Sequence, residues 1–545
     1  MKKENGNHFP KENRFVTLAF SMLFSIHLVL GREIYNHNGI DRFLKDIPFS
    51  IISLICGICL TILLYMGIKQ ALFPLLALIR DHQQRKKICS KRRWFPLIWL
   101  GILAAWFPAF WAYYPGILSY DSVLQTNIAM GIEANSRFHP PLHTLLWKFC
   151  IETGERLNIS GLVIYGLLQM ALLSLVMAYM LYTILKEGAG ILFFCLSFIF
   201  TACNPVMAVM SLEMTKDVPL CMALTCAAME LFYMEKDPAV YFRSRRSVTR
   251  FVVFFTLAGL LRNNMIYAFI LMSLLMIILR RTERKKLLAA SIAVVGCIAI
   301  INGPVYSAMG IGPGNPGEML SVPIQQISRA VARNKPEFSD ADKEEIDLFL
   351  PFDSLDQLYN PRFADPVKGM FRSDHYSDYR GRFVKLWRSL LKKYPLDFIN
   401  AFAELNIPYW YIGADAVDPY SQRIYIETQI WEIDCFPVSR TSRAPKMLEY
   451  YESFASYSAI KDKLFLIRLP FSLSAPIWLI LICTMIILRR IICRDSRNKG
   501  RFLSCYLIFF FLWLTYLAGP VSNFRYIFPI FAVYPLLLHI AVFQE

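Results

Sequence analysis

The sequence predicts an all-α polytopic membrane protein of about 12 transmembrane helices, carrying a small, mainly helical domain outside the lipid. Three observations lead there. Of the 545 residues, 56% are hydrophobic. Apolar runs recur along the chain at roughly the 20-residue length that a bilayer-spanning helix needs. Lys and Arg gather in short segments between those runs, as the positive-inside rule expects of cytoplasmic loops. A formal net charge of +17 would suggest nucleic acid in a soluble chain, but this loop distribution accounts for it, and no nucleic-acid partner is expected.

In chain order the candidate spans are 15–32, 49–72, 95–114, 160–185, 189–205, 217–234, 249–262, 265–280, 287–306, 464–488, 502–519 and 526–543. The first run has no A-x-A-like exit and is followed by Arg32 and Glu33, so it reads as an uncleaved helix rather than a signal peptide. The seventh and eighth are short and meet at Arg262, Asn263 and Asn264. With the N-terminus in the cytoplasm, every second loop should be basic. Arg80 to Arg93 (with Lys86, Lys87 and Lys91), Lys236 to Arg250, Arg280 to Lys286, Arg489 to Arg501 (with Arg494, Arg497 and Lys499) and, weakly, Lys186 satisfy that parity. Most of the 13 cysteines lie inside apolar runs and read as packing residues. Cys56 and Cys59 form a CxxC in mid-span with no second ligand pair, and Cys150 and Cys435 are the external ones, which is no disulfide framework.

The face away from the cytoplasm then receives three pieces: 115–160, 204–216 and about 310–463. The third is long enough for a domain, with cap and turn chemistry at Ser339-Asp340 and Asn360-Pro361 and an amphipathic pattern near Phe383 to Tyr394. No internal repeat is visible, which counts against transporters built from two similar halves.

The first outer loop reads YYPGILSYDSVLQTNIAMGIEANSRFHPPLHTLLW from Tyr113 to Trp147. It puts Asp121 just beyond the third span, followed by Gln125, His139 and His143. Leu142, Leu145, Leu146 and Phe149 recur at the spacing of an interfacial helix. An acid at a membrane boundary also fits a helix end meeting water, and His139 before Pro140-Pro141 also fits a plain turn.

The second outer loop, NPVMAVMSLEMTKDVPL from Asn204 to Leu220, carries Glu213, Lys216 and Asp217. A helix there would put Glu213 and Asp217 on one face. With Asp121 they would form either a divalent-metal site, for Mg or Mn, or an acid–base pair; a solvated helix start is the bland alternative. Arg262 interrupts the apolar stretch LAGLLRNNMIYAF, and a cation in lipid costs several kcal/mol unless it meets a partner or a polar cavity. Arg525 and Tyr526 stand at the outer end of the last span, where an arginine serves as an interfacial anchor or as a bidentate phosphate clamp. Tyr409, Trp410 and Tyr411, in PYWY, suit either stacking on a sugar or an interfacial aromatic belt.

With YPGILSYDS, EMTKD and the late RY followed by Pro529 in place, the arrangement resembles the GT-C superfamily of membrane glycosyltransferases. The combination with HPPLHT, MLSVPIQQISR (Met319 to Arg329) and PYWY resembles bacterial multi-pass proteins of that class more narrowly. The resemblance implies a division into 1–94, a two-helix extension with a basic cytoplasmic loop; 95–309, a seven-helix module whose outer loops are catalytic; 310–463, the extracytoplasmic domain; and 464–545, a three-helix membrane segment. It implies residence in a bacterial cytoplasmic membrane and a sugar donor linked to polyprenyl phosphate. In those terms Asp121 is the base, with Glu213 or Asp217 orienting the acceptor or completing a metal site. Arg525, Arg262, Lys216 and His139 bind the donor phosphate, with His143, Gln125, Tyr526, Tyr409 and Trp410 as further substrate contacts. The single Asp of the first loop departs from the paired acids of several members, and the first two spans lie outside the common module. A transporter, a polysaccharide polymerase or ligase with a lipid-linked donor, and a non-catalytic receptor are the competing readings.

Overall fold

A computed structural model of the chain describes residues 14–84, 92–280, 282–314, 316–414, 428–455, 469–493 and 502–544. Lys86, Lys87 and Lys91 of the first basic loop, Arg494, Arg497 and Lys499 of the last, the start of the 464–488 run and the end of the 310–463 segment lie outside the described residues. The fold is helical throughout, with one two-stranded element among the described residues.

Among the described residues six helices are long and apolar enough to cross a membrane: Arg14–His37, Ile47–Arg80, Trp94–Ala112, Gly161–Lys186, Asp217–Lys236 and Arg284–Ala308. A seventh span is available if Phe524–Ala532 and Tyr534–Phe543, which meet at a 41° bend, count as one. Ile191–Ala202, Met265–Leu279, Ala475–Arg489 and Ser504–Tyr516 are apolar but shorter, and Arg245–Leu261 opens on basic turns. The protein is thus an all-helical chain fit for several membrane crossings, and each run marked in the sequence contains a helix.

The most enclosed of the long helices is Asp217–Lys236, which packs against Gly161–Lys186, Arg245–Leu261 and Phe524–Ala532. Lipid tails are as apolar as Leu, so packing and polar pairs rather than water exclusion must hold such helices together. Near one end of this helix Glu230 receives Arg250 Nε at 2.7 Å and the Tyr241 hydroxyl at 2.9 Å. Glu235 is paired with Arg280 and accepts from Ser504. Asp217 opens the other end, 18 residues from Glu235, which is about 27 Å at the rise of an α-helix. Asp217 and Glu235 therefore stand near opposite ends of the helix, about one hydrocarbon thickness apart.

The 310–463 segment has a core of its own, built from Ile324, Ile327, Phe338, Phe349, Phe352, Phe383 and Phe398. Ser339 caps Asp340–Asp347 by accepting from Asp342 N, and the amphipathic pattern folds as Arg380–Lys393. Arg329 is buried beside it, with Nη1 at 2.7 Å from each oxygen of Glu404 and Nη2 at 2.8 Å from the Asn38 carbonyl. Arg362 reaches the Tyr35 carbonyl and Asn400 reaches Asp41. The hairpin formed by the first two long helices is thereby tied to this segment. Pro395–Trp410 runs from that core into the core of the long apolar helices, where Tyr409 lies fully buried against Tyr516.

Candidate functional site

Asp121 is positioned by short-range chemistry. Gly116 has φ +153°, and a Cβ there would meet Leu162 Cγ at 2.7 Å, so only glycine lets the chain turn this close to the Gly161–Lys186 helix. The next residues, Ile117–Leu118, pair in parallel with Glu213–Met214. Ser122 Oγ donates to the Met214 carbonyl at 2.8 Å, and Ser119 Oγ does so at 3.3 Å. Gln429 and Trp431 add backbone hydrogen bonds to Leu118 from the other side. The 115–160 and 204–216 segments are therefore locked in register, with Asp121 in the first turn of Asp121–Ala129 facing Lys216 and Asp217 at the start of Asp217–Lys236.

Asp121 Oδ2 accepts from Arg525 Nη1 at 2.7 Å and from Lys216 Nζ at 3.1 Å. Arg525 Nη2 donates to the Tyr120 hydroxyl at 2.9 Å, and its Nε lies 4.0 Å from Asp217 Oδ2. Asp217, with no exposed side-chain surface, is paired with Arg262 and accepts from Thr215 Oγ1 at 3.3 Å. The Arg262 guanidinium lies 4.4 Å from the Tyr526 ring centroid and 4.7 Å from that of Tyr516, while Arg525 lies 5.1 Å from Tyr526. Tyr526 thus stands between two guanidiniums. Side chains of Asp121 and Lys216 keep 16% and 17% of their surface exposed, so the cluster is partly open.

Burial pushes the Asp121 carboxyl up, but the positive charges of Arg525 and Lys216, with the hydrogen bond from Arg525, prevail and hold it well below the usual carboxylate range. His139 is pushed down to about 3 by burial and by Lys216. It is neutral at ordinary pH, and its Nδ1, 3.1 Å from Lys216 Nζ, accepts from the ammonium, which leaves the proton on Nε2. Three cations therefore face two carboxylates in one largely buried cluster, an arrangement suited to an added anion.

Arg525, Arg262, Lys216, Asp121, Asp217, His139 and Tyr526 come together from five separate stretches of chain. Other expected residues take different places. Glu213 does not share a helix face with Asp217, because the chain is extended at Glu213–Met214 and helical only from Asp217. His143 and Gln125 form a layer behind the site: His143 Nδ1 lies 2.6 Å from Gln125 Oε1 and Nε2 lies 2.8 Å from the Tyr165 hydroxyl. Burial, with Lys216 adding, pushes His143 down to about 3, and both residues are enclosed, so they brace the loop rather than present themselves to a ligand. Tyr409, expected to stack on a sugar, is corrected to a core residue, since its ring has no free face. Trp410 is partly buried and packs against the same core, with its carbonyl accepting from Trp478 Nε1 at 2.8 Å. The three-acid metal set is not assembled: no group of three His, Cys, Asp or Glu suited to a metal ion occurs among the described residues, because cations have taken Asp121 and Asp217.

Sequence reasoning missed Tyr120, Thr215 and Tyr516. Tyr120 adjoins the key acid, but no local pattern tells that its hydroxyl meets a guanidinium from the other end of the chain.

The chain matches a family of unknown function (DUF6020) over residues 134–544, and it belongs to that family. The matched stretch takes in His139, Lys216, Asp217, Arg262 and Arg525 and begins after Asp121. No curated protein and no solved structure matches the chain.

Proposed function

We propose that this DUF6020 family member is an integral-membrane glycosyltransferase that moves a sugar from a polyprenyl-phosphate-linked donor to an acceptor hydroxyl on the extracytoplasmic face. In this reading the chain crosses a bacterial cytoplasmic membrane about 12 times, its N-terminus and basic loops are cytoplasmic, and residues 310–463 lie outside. The observation that carries the proposal is the convergence on Asp121 of Arg525 and Lys216, with the Asp217–Arg262 pair alongside.

The chemistry follows from the charges. The bond from the anomeric carbon to the phosphate oxygen breaks, the bond from the acceptor oxygen to that carbon forms, and the hydroxyl proton passes to Asp121. The departing phosphate keeps the electron pair, and Arg525, Arg262 and Lys216 stabilise it in a site where few waters compete. A carboxylate bound to an arginine and a lysine is a weak base. An incoming phosphate competes for those cations, and as they turn to it the pKa of Asp121 rises, so donor binding itself prepares the base. His139, donating through Nε2, is placed to assist the same anion.

The test is transfer in vitro. Purified protein in liposomes is offered polyprenyl phosphate carrying a radiolabelled sugar, together with envelope extracts as acceptor. Label leaving the lipid for an acceptor, and no transfer by Asp121→Asn, supports the proposal. Vectorial movement of the intact lipid without transfer would replace it with a carrier.

A further inference from the structure

We infer that Tyr409 is a positioning residue for Arg525, and that through it the outer segment sets where this guanidinium meets Asp121. The functional side of the inference rests on the transferase reading; the geometric side does not.

The Tyr409 hydroxyl accepts from Asn523 N at 3.1 Å, and its one proton faces the carbonyls of Val521 and Asn523, each 3.5 Å away. Asn523 is the cap of Phe524–Ala532, and its Oδ1 accepts from Arg525 N at 3.1 Å. Two hydrogen bonds thus connect the phenol to the backbone of Arg525. The first N–H groups of a helix have no partner within the helix, so the cap, and whatever fixes the cap, decides where that helix begins and where its first-turn side chains point.

The same turn is gripped at three further points from the outer segment. Ser522 Oγ donates to the Leu405 carbonyl at 3.1 Å, Asn406 Nδ2 donates to the Leu517 carbonyl at 2.9 Å, and Ala364 N donates to the Pro520 carbonyl at 2.9 Å. Leu405, Asn406 and Tyr409 all lie on Pro395–Trp410, whose Glu404 is held by Arg329. One helix therefore joins the buried ion pair of the outer core to the residue that caps the Arg525 helix. A phenylalanine at 409 would fill the same space and remove only the hydroxyl, and with it the hydrogen bond that fixes the Asn523 N–H.

The experiment uses the full-length protein in nanodiscs, labelled with 15N-arginine, with the Arg525 Nε–H signal identified by its loss in Arg525→Lys. Undecaprenyl phosphate is the binding probe. Tyr409→Phe should move the Arg525 signal and raise the Kd for the probe about tenfold, because a small misplacement of a preorganised clamp is costly. The Arg250 signal, from the far end of the bundle, should stay in place and report an intact fold. Ser522→Ala, which loosens the turn from a different bond, should act in the same direction to a smaller extent, and it keeps the test open if Tyr409→Phe does not fold. An unchanged Arg525 signal and unchanged affinity in both variants would overturn the inference. A wild-type protein that ignores the probe while Tyr409→Phe still moves the Arg525 signal would sink the transferase reading and leave the positioning role standing.

Discussion

Replacing Asp121 by asparagine keeps the shape of the side chain and removes its charge. Asp121 Oδ2 now takes charge-assisted hydrogen bonds at 2.7 Å and 3.1 Å, and an amide oxygen can still accept from both donors. Both donors stay charged, so each bond loses only the charge of its acceptor, about 1 kcal/mol of the 1.5–3 that such bonds contribute, and the two together lose about 2 kcal/mol. That is a modest loss for a protein of this size. Loss of a general base costs about 10²- to 10⁴-fold in rate, or about 3–5 kcal/mol of barrier. Activity should therefore collapse while the melting temperature falls by only a few degrees. The pH dependence separates the charge effect from a folding defect. A carboxyl whose pKa is depressed in the fold contributes stability above its unfolded value, near 4, and loses it as pH falls through the lower folded value. The stability gap between wild type and Asp121→Asn should accordingly close on acidification below about pH 4. Wild-type rates of transfer by Asp121→Asn, measured on equal amounts of membrane-inserted protein, would remove Asp121 as the base.

The other expectations concern the cations and histidines. Arg525→Ala should weaken binding of the lipid phosphate more than Arg525→Lys does, since lysine keeps the charge and loses the fork; equal affinity in all three proteins, read by titration with polyprenyl phosphate, would reject the clamp. Arg262→Met strands the enclosed Asp217 carboxylate and should destabilise by about 3 kcal/mol, whereas adding Asp217→Asn should recover most of the loss; a double variant no more stable than the single one would contradict the pairing. His139 and His143, both pushed down to about 3, must stay neutral to fit. Their burial contributes stability that is full above about pH 6.5 and lost as pH falls toward their folded values. Thermal melts should show that decline, and His143→Gln should flatten it.

What the sequence made legible follows from which signals are local. Apolar runs, the break at Arg262 to Asn264, the Ser339 cap and the amphipathic 380–393 helix are written in neighbouring residues, and each appears in the fold. Asp121, Lys216, Asp217, Arg262 and Arg525 were identifiable because a charge beside lipid demands a reason. The pairing of Ile117–Leu118 with Glu213–Met214 was not identifiable, since two residues carry no alternation, and so Glu213 was expected on a helix. Tyr409 read as a surface aromatic because PYWY looks the same whether it faces water or a core. The layer of Gln125, His143 and Tyr165 joins polar groups from three helices, and nothing in the spacing of any one of them announces the others.

The most direct test of the transferase account is mass spectrometry of the lipid-linked sugars in a strain lacking this protein. One sugar-bearing polyprenyl phosphate should accumulate on deletion, return to its normal level with the wild-type gene, and stay elevated with Asp121→Asn. An unchanged lipid profile across all of these strains would contradict the account.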